Sequence, residues 1–332
     1  MRIEAFTQAK VPADPGSNED QLLILPGRGY AVIDGVTDRT GHRYEGLLAG
    51  QLAGCRVQQA VATFLLDPAE AEVDPARLVA QVSGAIRAAY QRHGILEIAR
   101  EQPPRRFGAT LALAAERGDG WRFVLVGDSG LRLNCAELWL NENELDLITA
   151  SLRQEAYRMV AAAGGDPADR ARVGRACAFH GAARLYPEMR PWLDEAGLAS
   201  LRARCIAACR ERFPTVPEAD IERLVEGGVM NGQGQFQNNT ASLLSYAVLD
   251  GFEVPLELVR VIDRERAGVR SIELFTDGYF EPAAAPSVEA WEASFREVEQ
   301  IDPEKIGHYP GVKGSSSGRY ADDRTVIVIH MP

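Results

Sequence analysis

Five acidic motifs sit at the edges of strand-like runs: Asn18-Glu19-Asp20, Asp34-Gly35, Gly127-Asp128-Ser129, Thr276-Asp277-Gly278 and Asp322-Asp323-Arg324-Thr325. They span nearly the whole chain, so only a fold that returns strand ends to one place gathers them. Gathered, they form a carboxylate cup with almost no nitrogen or sulfur donors. That donor set suits hard divalent cations, Mg²⁺ or Mn²⁺. Taken singly, each motif has a plainer reading. Asp34-Gly35 and Asp277-Gly278 read as turns, and Asp128-Ser129 as the cap of a following helix or turn.

The elements that must carry these residues follow from periodicity and turn chemistry. Residues 3–7 read as a first strand and 11–17, with Pro12, Pro15 and Gly16, as a loop. Residues 21–25 and 30–33 read as two strands around the turn signal Pro26-Gly27-Arg28-Gly29. Antiparallel pairing of the two brings Glu19 and Asp20 near Asp34. Helical patterns cover 44–66 and 75–92, the second with Leu78, Val79, Val82 and Ile86 at helical spacing. Strands are predicted at 107–116 and 122–126, resuming at 131–133. Residues 137–226 are rich in Ala, Arg, Glu and Leu and predict several helices, broken near Gly164-Gly165-Asp166-Pro167, Pro187 and Pro214. Further strands are predicted at 242–249, 256–262, 270–275 and 325–329, with a helix at 287–298. The stretch 230–239 is polar and Gly-rich and reads as a loop. Residues 309–320 read as a Gly/Ser-rich loop.

Composition narrows the function classes. The 332 residues have a net charge of −11 and a hydrophobic content of 46%, typical of a soluble globular protein. The acidic balance argues against nucleic-acid and anionic-membrane partners, which need basic surface. Five cysteines, with no framework spacing, predict no disulfides, and Cys205 and Cys209 read as residues on one helix face. The opening Met1-Arg2-Ile3-Glu4 lacks the apolar segment of a signal peptide, and no run approaches transmembrane length. A cytoplasmic protein is expected.

With Gly108-Ala109-Thr110 added, the motif order resembles that of the metal-dependent protein phosphatases of type 2C, the PPM family. The resemblance covers residues 1–134 and about 240–332. It implies an α+β fold, a four-layer α-β-β-α sandwich of two antiparallel sheets flanked by helices. The whole chain, 1–332, would be one phosphatase-like catalytic domain, with 136–230 as a helical insertion in its flap region. The resemblance implies hydrolysis of phosphomonoesters, protein phosphoserine and phosphothreonine above all, in signalling. Water activated between two Mn²⁺ or Mg²⁺ ions would attack without a phosphoenzyme. Asp34 would bridge the ions and Gly35 would donate its carbonyl. Glu19 would complete the second ion, and Asp277 and Asp322 would hold the first. Asp20 would act on a bound water. Asp128, with Asp277, matches a more weakly held third ion.

The chain departs from the family where phosphate is gripped. The usual Arg, four residues before the Glu of Asn-Glu-Asp, is here Pro15. The His that often follows Asp-Gly has no counterpart at the same offset. Arg39, His42 and Arg43 are candidate replacements on the same loop, with an exposed polar loop as the plainer reading. Two alternatives follow. One is a catalytically silent phosphatase-like module that docks a partner on the helical insertion. The other is a phosphatase for a small phosphorylated metabolite.

Overall fold

The computed structural model describes residues 1–37, 41–141 and 143–332. Ten strands form two five-stranded antiparallel sheets. The first contains β2 (Gln21–Leu25), β3 (Gly29–Ile33), β6 (Leu111–Arg117), β7 (Gly120–Val126) and β10 (Arg260–Glu265), in the order β10-β7-β6-β3-β2. The second contains β1 (Arg2–Gln8), β8 (Gly130–Leu133), β9 (Glu137–Trp139), β11 (Ser271–Phe275) and β12 (Arg324–His330), in the order β1-β12-β11-β8-β9.

Side chains alternate between faces along a strand, so each sheet serves two cores. Tyr30, Val32, Ala112, Phe123 and Leu125 of the first sheet meet Leu131, Ile272, Leu274, Ile327 and Ile329 of the second. The intervening Ala31, Ile33, Leu113 and Val124 face α1 (Ala49–Leu66) and α2 (Pro75–Arg92). On the other side, Phe275, Val326 and Val328 pack on Trp291 and Phe295 of α8 (Val288–Ile301). The layers are therefore α-β-β-α, the architecture expected from the sequence. Local chemistry sets the helix starts. Asp74 accepts from Ala76 N and Arg77 N ahead of Pro75, and Ser287 Oγ accepts from Ala290 N.

Four more helices, α4 (Glu144–Ala162), α5 (Pro167–His180), α6 (Glu195–Arg212) and α7 (Glu218–Asn231), enclose a core of their own around Leu152, Ala156, Cys177, Leu201 and Leu224. Cys205 and Cys209 lie on the buried face of α6, and all five cysteines are free thiols. Arg153 of α4 is buried and reaches out of this bundle. Its Nη1 donates to the carbonyls of Lys305 (3.1 Å), Gly311 (3.1 Å) and Lys313 (3.2 Å), organising the loop before β12.

Several elements differ from expectation, each for a physical reason. The helix expected from residue 44 starts at Ala49, because β4 (Arg43–Tyr44) and β5 (Leu47–Leu48) form a small hairpin. Its turn residues, Glu45 and Gly46, both adopt positive φ, the conformation a two-residue hairpin turn demands. Residues 242–249 form no strand and make only isolated bridges, Gln237 to Tyr246 and Ala109 to Leu249. Leu244 serves the helical core while Ala247 and Leu249 serve the sheet core, so the segment has no continuous face. Residues 131–133 do not prolong β7 but change sheet, pairing with β11. The strand expected at 256 begins at Arg260, after a 3-10 turn over Leu256–Leu258. Among the described residues, no helix is long and apolar enough to cross a membrane.

Candidate active site

The β2–β3 register, with Gln21 opposite Ile33, sets Asp20 beside Asp34 at the open end of the hairpin. Thr110 N donates to Asp34 O (2.8 Å), which ties the start of β6 to the same turn. Asp128 leaves the end of β7, where Ser129 Oγ and Thr110 Oγ1 share a hydrogen bond of 2.7 Å. In the facing sheet, β11 ends at Thr276-Asp277 and β12 begins after Asp322-Asp323. Thr276 Oγ1 crosses between the sheets to donate to Asp20 Oδ2 (2.8 Å) and accepts from Thr325 N (2.9 Å). The acidic motifs therefore meet at one end of the sandwich.

Close backbone approach needs glycine at two of these turns. A Cβ on Gly35 would lie 2.3 Å from Gly50 O and 2.7 Å from Glu19 O. One on Gly278 would lie 2.0 Å from Asp323 O. Gln51, in the first turn of α1, adds a strap: its Nε2 donates to Gly16 O (2.6 Å) and Asn18 O (3.1 Å), holding the segment that carries Glu19 and Asp20.

Two lysines enter the cup, and neither lies in a motif that marks it in the sequence. Lys10, just past β1 and 5% exposed, places Nζ 2.6 Å from Glu19 Oε2, 3.0 Å from Asp323 Oδ2, 3.2 Å from Thr37 Oγ1 and 3.6 Å from Asp322 Oδ1. Lys313 Nζ lies 2.5 Å from Asp322 Oδ2 and 3.1 Å from Thr37 Oγ1, with its side chain 40% exposed. A compositional signal pointed to them. Among 36 basic residues the chain has only three lysines, Lys10, Lys305 and Lys313, and Lys305 is buried against Glu299 (2.5 Å).

The lysines divide the cluster electrostatically. Against the cost of burial, Lys313 and Lys10 hold the Asp322 carboxyl below its usual range. The ammonium of Lys10 is pushed up in turn, because the pull of Asp322, Glu19 and Asp323 outweighs burial. The remaining carboxyls go the other way. Burial, then Asp323, pushes Asp20 up to about 7. Burial and the charge of Asp277 push Asp34 well up, and burial with Asp128 and Asp322 does the same to Asp277, although that residue keeps exposed surface. Burial also raises Asp128. Glu19 Oε1, Asp20 Oδ1 and Asp128 Oδ1 are buried with no hydrogen-bond partner. Among the described residues no three acidic, His or Cys side chains form a ready-made ligand set, and Lys10 and Lys313 take oxygens of Glu19, Asp322 and Asp323.

The candidate phosphate-binding residues stand apart from this network. Arg43 is exposed and donates to Gly46 O (2.9 Å) within the small hairpin, and His42 is exposed beside it. Arg39 lies outside the described residues. Pro15 opens a short 3-10 turn ahead of Asn18.

No family model and no curated protein matches the chain. Among solved structures, it is similar to the Mycobacterium tuberculosis serine/threonine phosphatase PstP/Ppp, at 17% identity over 99% of this chain and 98% of that one, with a TM-score of 0.44. It is similar to the serine/threonine phosphatase Stp1 from Staphylococcus aureus, at 11% identity over 100% and 95%, with a TM-score of 0.46. The catalytic domain of PstP in complex with 2 manganese ions matches at 18% identity over 98% and 96%, with a TM-score of 0.45.

Proposed function

We propose that the chain is a metal-dependent phosphatase that hydrolyses phosphomonoesters, with protein phosphoserine and phosphothreonine as substrates and Mn²⁺ or Mg²⁺ as cofactor. One observation supports this reading above the others: Glu19, Asp20 and Asp128 present buried carboxylate oxygens without partners, in a cup where carboxylates outnumber ammonium groups. Such oxygens are costly to bury unless a cation satisfies them, and an all-oxygen donor set fits a hard divalent ion. In this reading Asp34, the Gly35 carbonyl, Glu19, Asp128, Asp277 and Asp322 would hold the ions.

When bound, divalent cations supply a lowered water pKa and neutralise charge on a phosphoryl oxygen. The chain's own residues do the rest. Asp20, held by the Thr276 hydroxyl, is placed to take a proton from water as a general base. Lys313, half-exposed at the rim, offers a positive charge to an incoming phosphate where the usual Arg is replaced by Pro15. Arg39, His42 and Arg43 are the other candidates for that role.

The test is hydrolysis of a chromogenic aryl phosphate with and without Mn²⁺, for wild type and Asp34→Asn. Activity should require the metal and fall at least about 100-fold in the variant. Activity indifferent to either change would sink this reading. A second reading, a silent module that docks partners on α4–α7, draws on the charge that Lys10 and Lys313 already compensate. Mn²⁺ binding without hydrolysis would favour it.

A further inference from the structure

We propose that Lys10 is a built-in cation: its ammonium stands among Glu19, Asp322 and Asp323 in the place of a divalent ion, so the protein binds one metal ion fewer than its carboxylates invite. The inference rests on the divalent-cation reading of the cluster and adds to it which part of the cup stays closed to metal.

An ammonium has three N–H donors. Lys10 uses them on Glu19 Oε2 (2.6 Å), Asp323 Oδ2 (3.0 Å) and Thr37 Oγ1 (3.2 Å), with Asp322 Oδ1 at 3.6 Å. The environment is an all-oxygen shell drawn from separate parts of the chain, as a metal ion would have. The lysine is also fastened through its backbone. Lys10 N donates to Asp323 Oδ1 (2.6 Å), and Glu19 N donates to Asp323 Oδ2 (3.2 Å). Both oxygens of Asp323 are thereby engaged within the protein. Swinging Lys10 aside would strand Asp323, which is 2% exposed, and Glu19, which is 0% exposed.

The choice of residue supports the assignment. This chain places arginine almost everywhere it needs a basic side chain and keeps lysine for three positions, two of them in this cup. A lysine ammonium is a compact point charge, whereas guanidinium is a planar fork. Only the compact group resembles an ion. A divalent cation a few ångströms away would meet like-charge repulsion. Metal is therefore directed to the side of Asp20, Asp34, Asp128 and Asp277, where Asp20 Oδ1 and Asp128 Oδ1 lack partners; of the carboxylates around Lys10, only Glu19 keeps an oxygen, Oε1, unpartnered and open to it.

The experiment counts Mn²⁺ ions per chain, by calorimetric titration and by electron paramagnetic resonance of free Mn²⁺, for wild type, Lys10→Met and Lys10→Gln. Both variants should bind one more equivalent than wild type, and Mn²⁺ should raise their melting temperatures by more than that of wild type. Lys10→Gln keeps a hydrogen-bond donor and supplies the measurement should Lys10→Met fail to fold. A Lys10→Met chain that folds only in Mn²⁺ also supports the assignment. Equal numbers of bound ions in wild type and Lys10→Gln would overturn it while leaving the metal reading intact. Failure of every protein to bind Mn²⁺ would overturn both.

Discussion

Thr276, at the end of β11, donates its hydroxyl to Asp20 Oδ2, ahead of β2, over 2.8 Å. The Thr276 hydroxyl oxygen in turn accepts from Thr325 N at 2.9 Å, so one side chain joins three strand ends from two sheets. Thr276→Val keeps the shape and removes both bonds. It should lower the unfolding free energy by about 1–3 kcal/mol, the cost of leaving buried partners unmade. Urea denaturation measures this, and an unchanged midpoint would show that the crossing contributes nothing.

Without metal, the cup should make stability fall as pH rises. Burial first, and neighbouring carboxylates second, raise Asp20, Asp34 and Asp277 in the folded state. Between the ordinary carboxyl value of about 4 and the value of about 7 reached by Asp20, the native state binds more protons than the unfolded one. Stability therefore decreases with pH across that window. Asp322, lowered by its lysines, works in the opposite sense below the usual carboxyl range. Mn²⁺, which binds the ionised carboxylates, should flatten or invert the slope. Melting temperatures in chelator and in Mn²⁺ test this, and a metal-free protein that becomes steadily more stable across the window would contradict it.

Gly278→Ala should damage the site and Gly84→Ala should not. A Cβ at Gly278 would meet Asp323 O at 2.0 Å and Arg324 Cβ at 2.8 Å, forcing the Thr276-Asp277 turn away from Asp322-Asp323. A loss of about 1–3 kcal/mol is expected, together with weaker Mn²⁺ binding. At Gly84, inside α2, nothing lies within 4 Å, and alanine should stabilise by up to about 1 kcal/mol. Paired denaturation and Mn²⁺ titrations read both outcomes.

Arg153 couples α4 to the loop that delivers Lys313. Arg153→Met removes the donor to three carbonyls and should cost at least about 1.5–3 kcal/mol. The loss should concentrate in the segment from Lys305 to Lys313. Hydrogen exchange localises it: faster exchange there, with β6 and β7 unchanged, is the expected pattern, and uniform acceleration would refute a local role.

Much of this protein is written in local patterns. Apolar spacing marks α2, and the Pro26-Gly27 turn with its flanking apolar runs marks the β2–β3 hairpin, whose register then sets Asp20 beside Asp34. Turn chemistry at Glu45-Gly46 is less legible, because positive φ at glutamate is not signalled by residue type, and so the helical pattern runs on ahead of the true start of α1. The segment 242–249 has strand-like composition, but its apolar residues are shared between two cores, and composition does not reveal which partner a side chain will find.

By itself the sequence determined the alternating strands, the helix patterns and the acidic residues at strand edges, because these depend on neighbours a few positions away. Only the tertiary structure decided that Lys10 and Lys313 would stand among those carboxylates and that Arg153 would hold the loop bearing one of them. Lys10 meets Asp323 across a sequence separation of 313, through the pairing of β1 with β12. Sheet order brings such residues together, and no local pattern around a lysine records which charges will close over it.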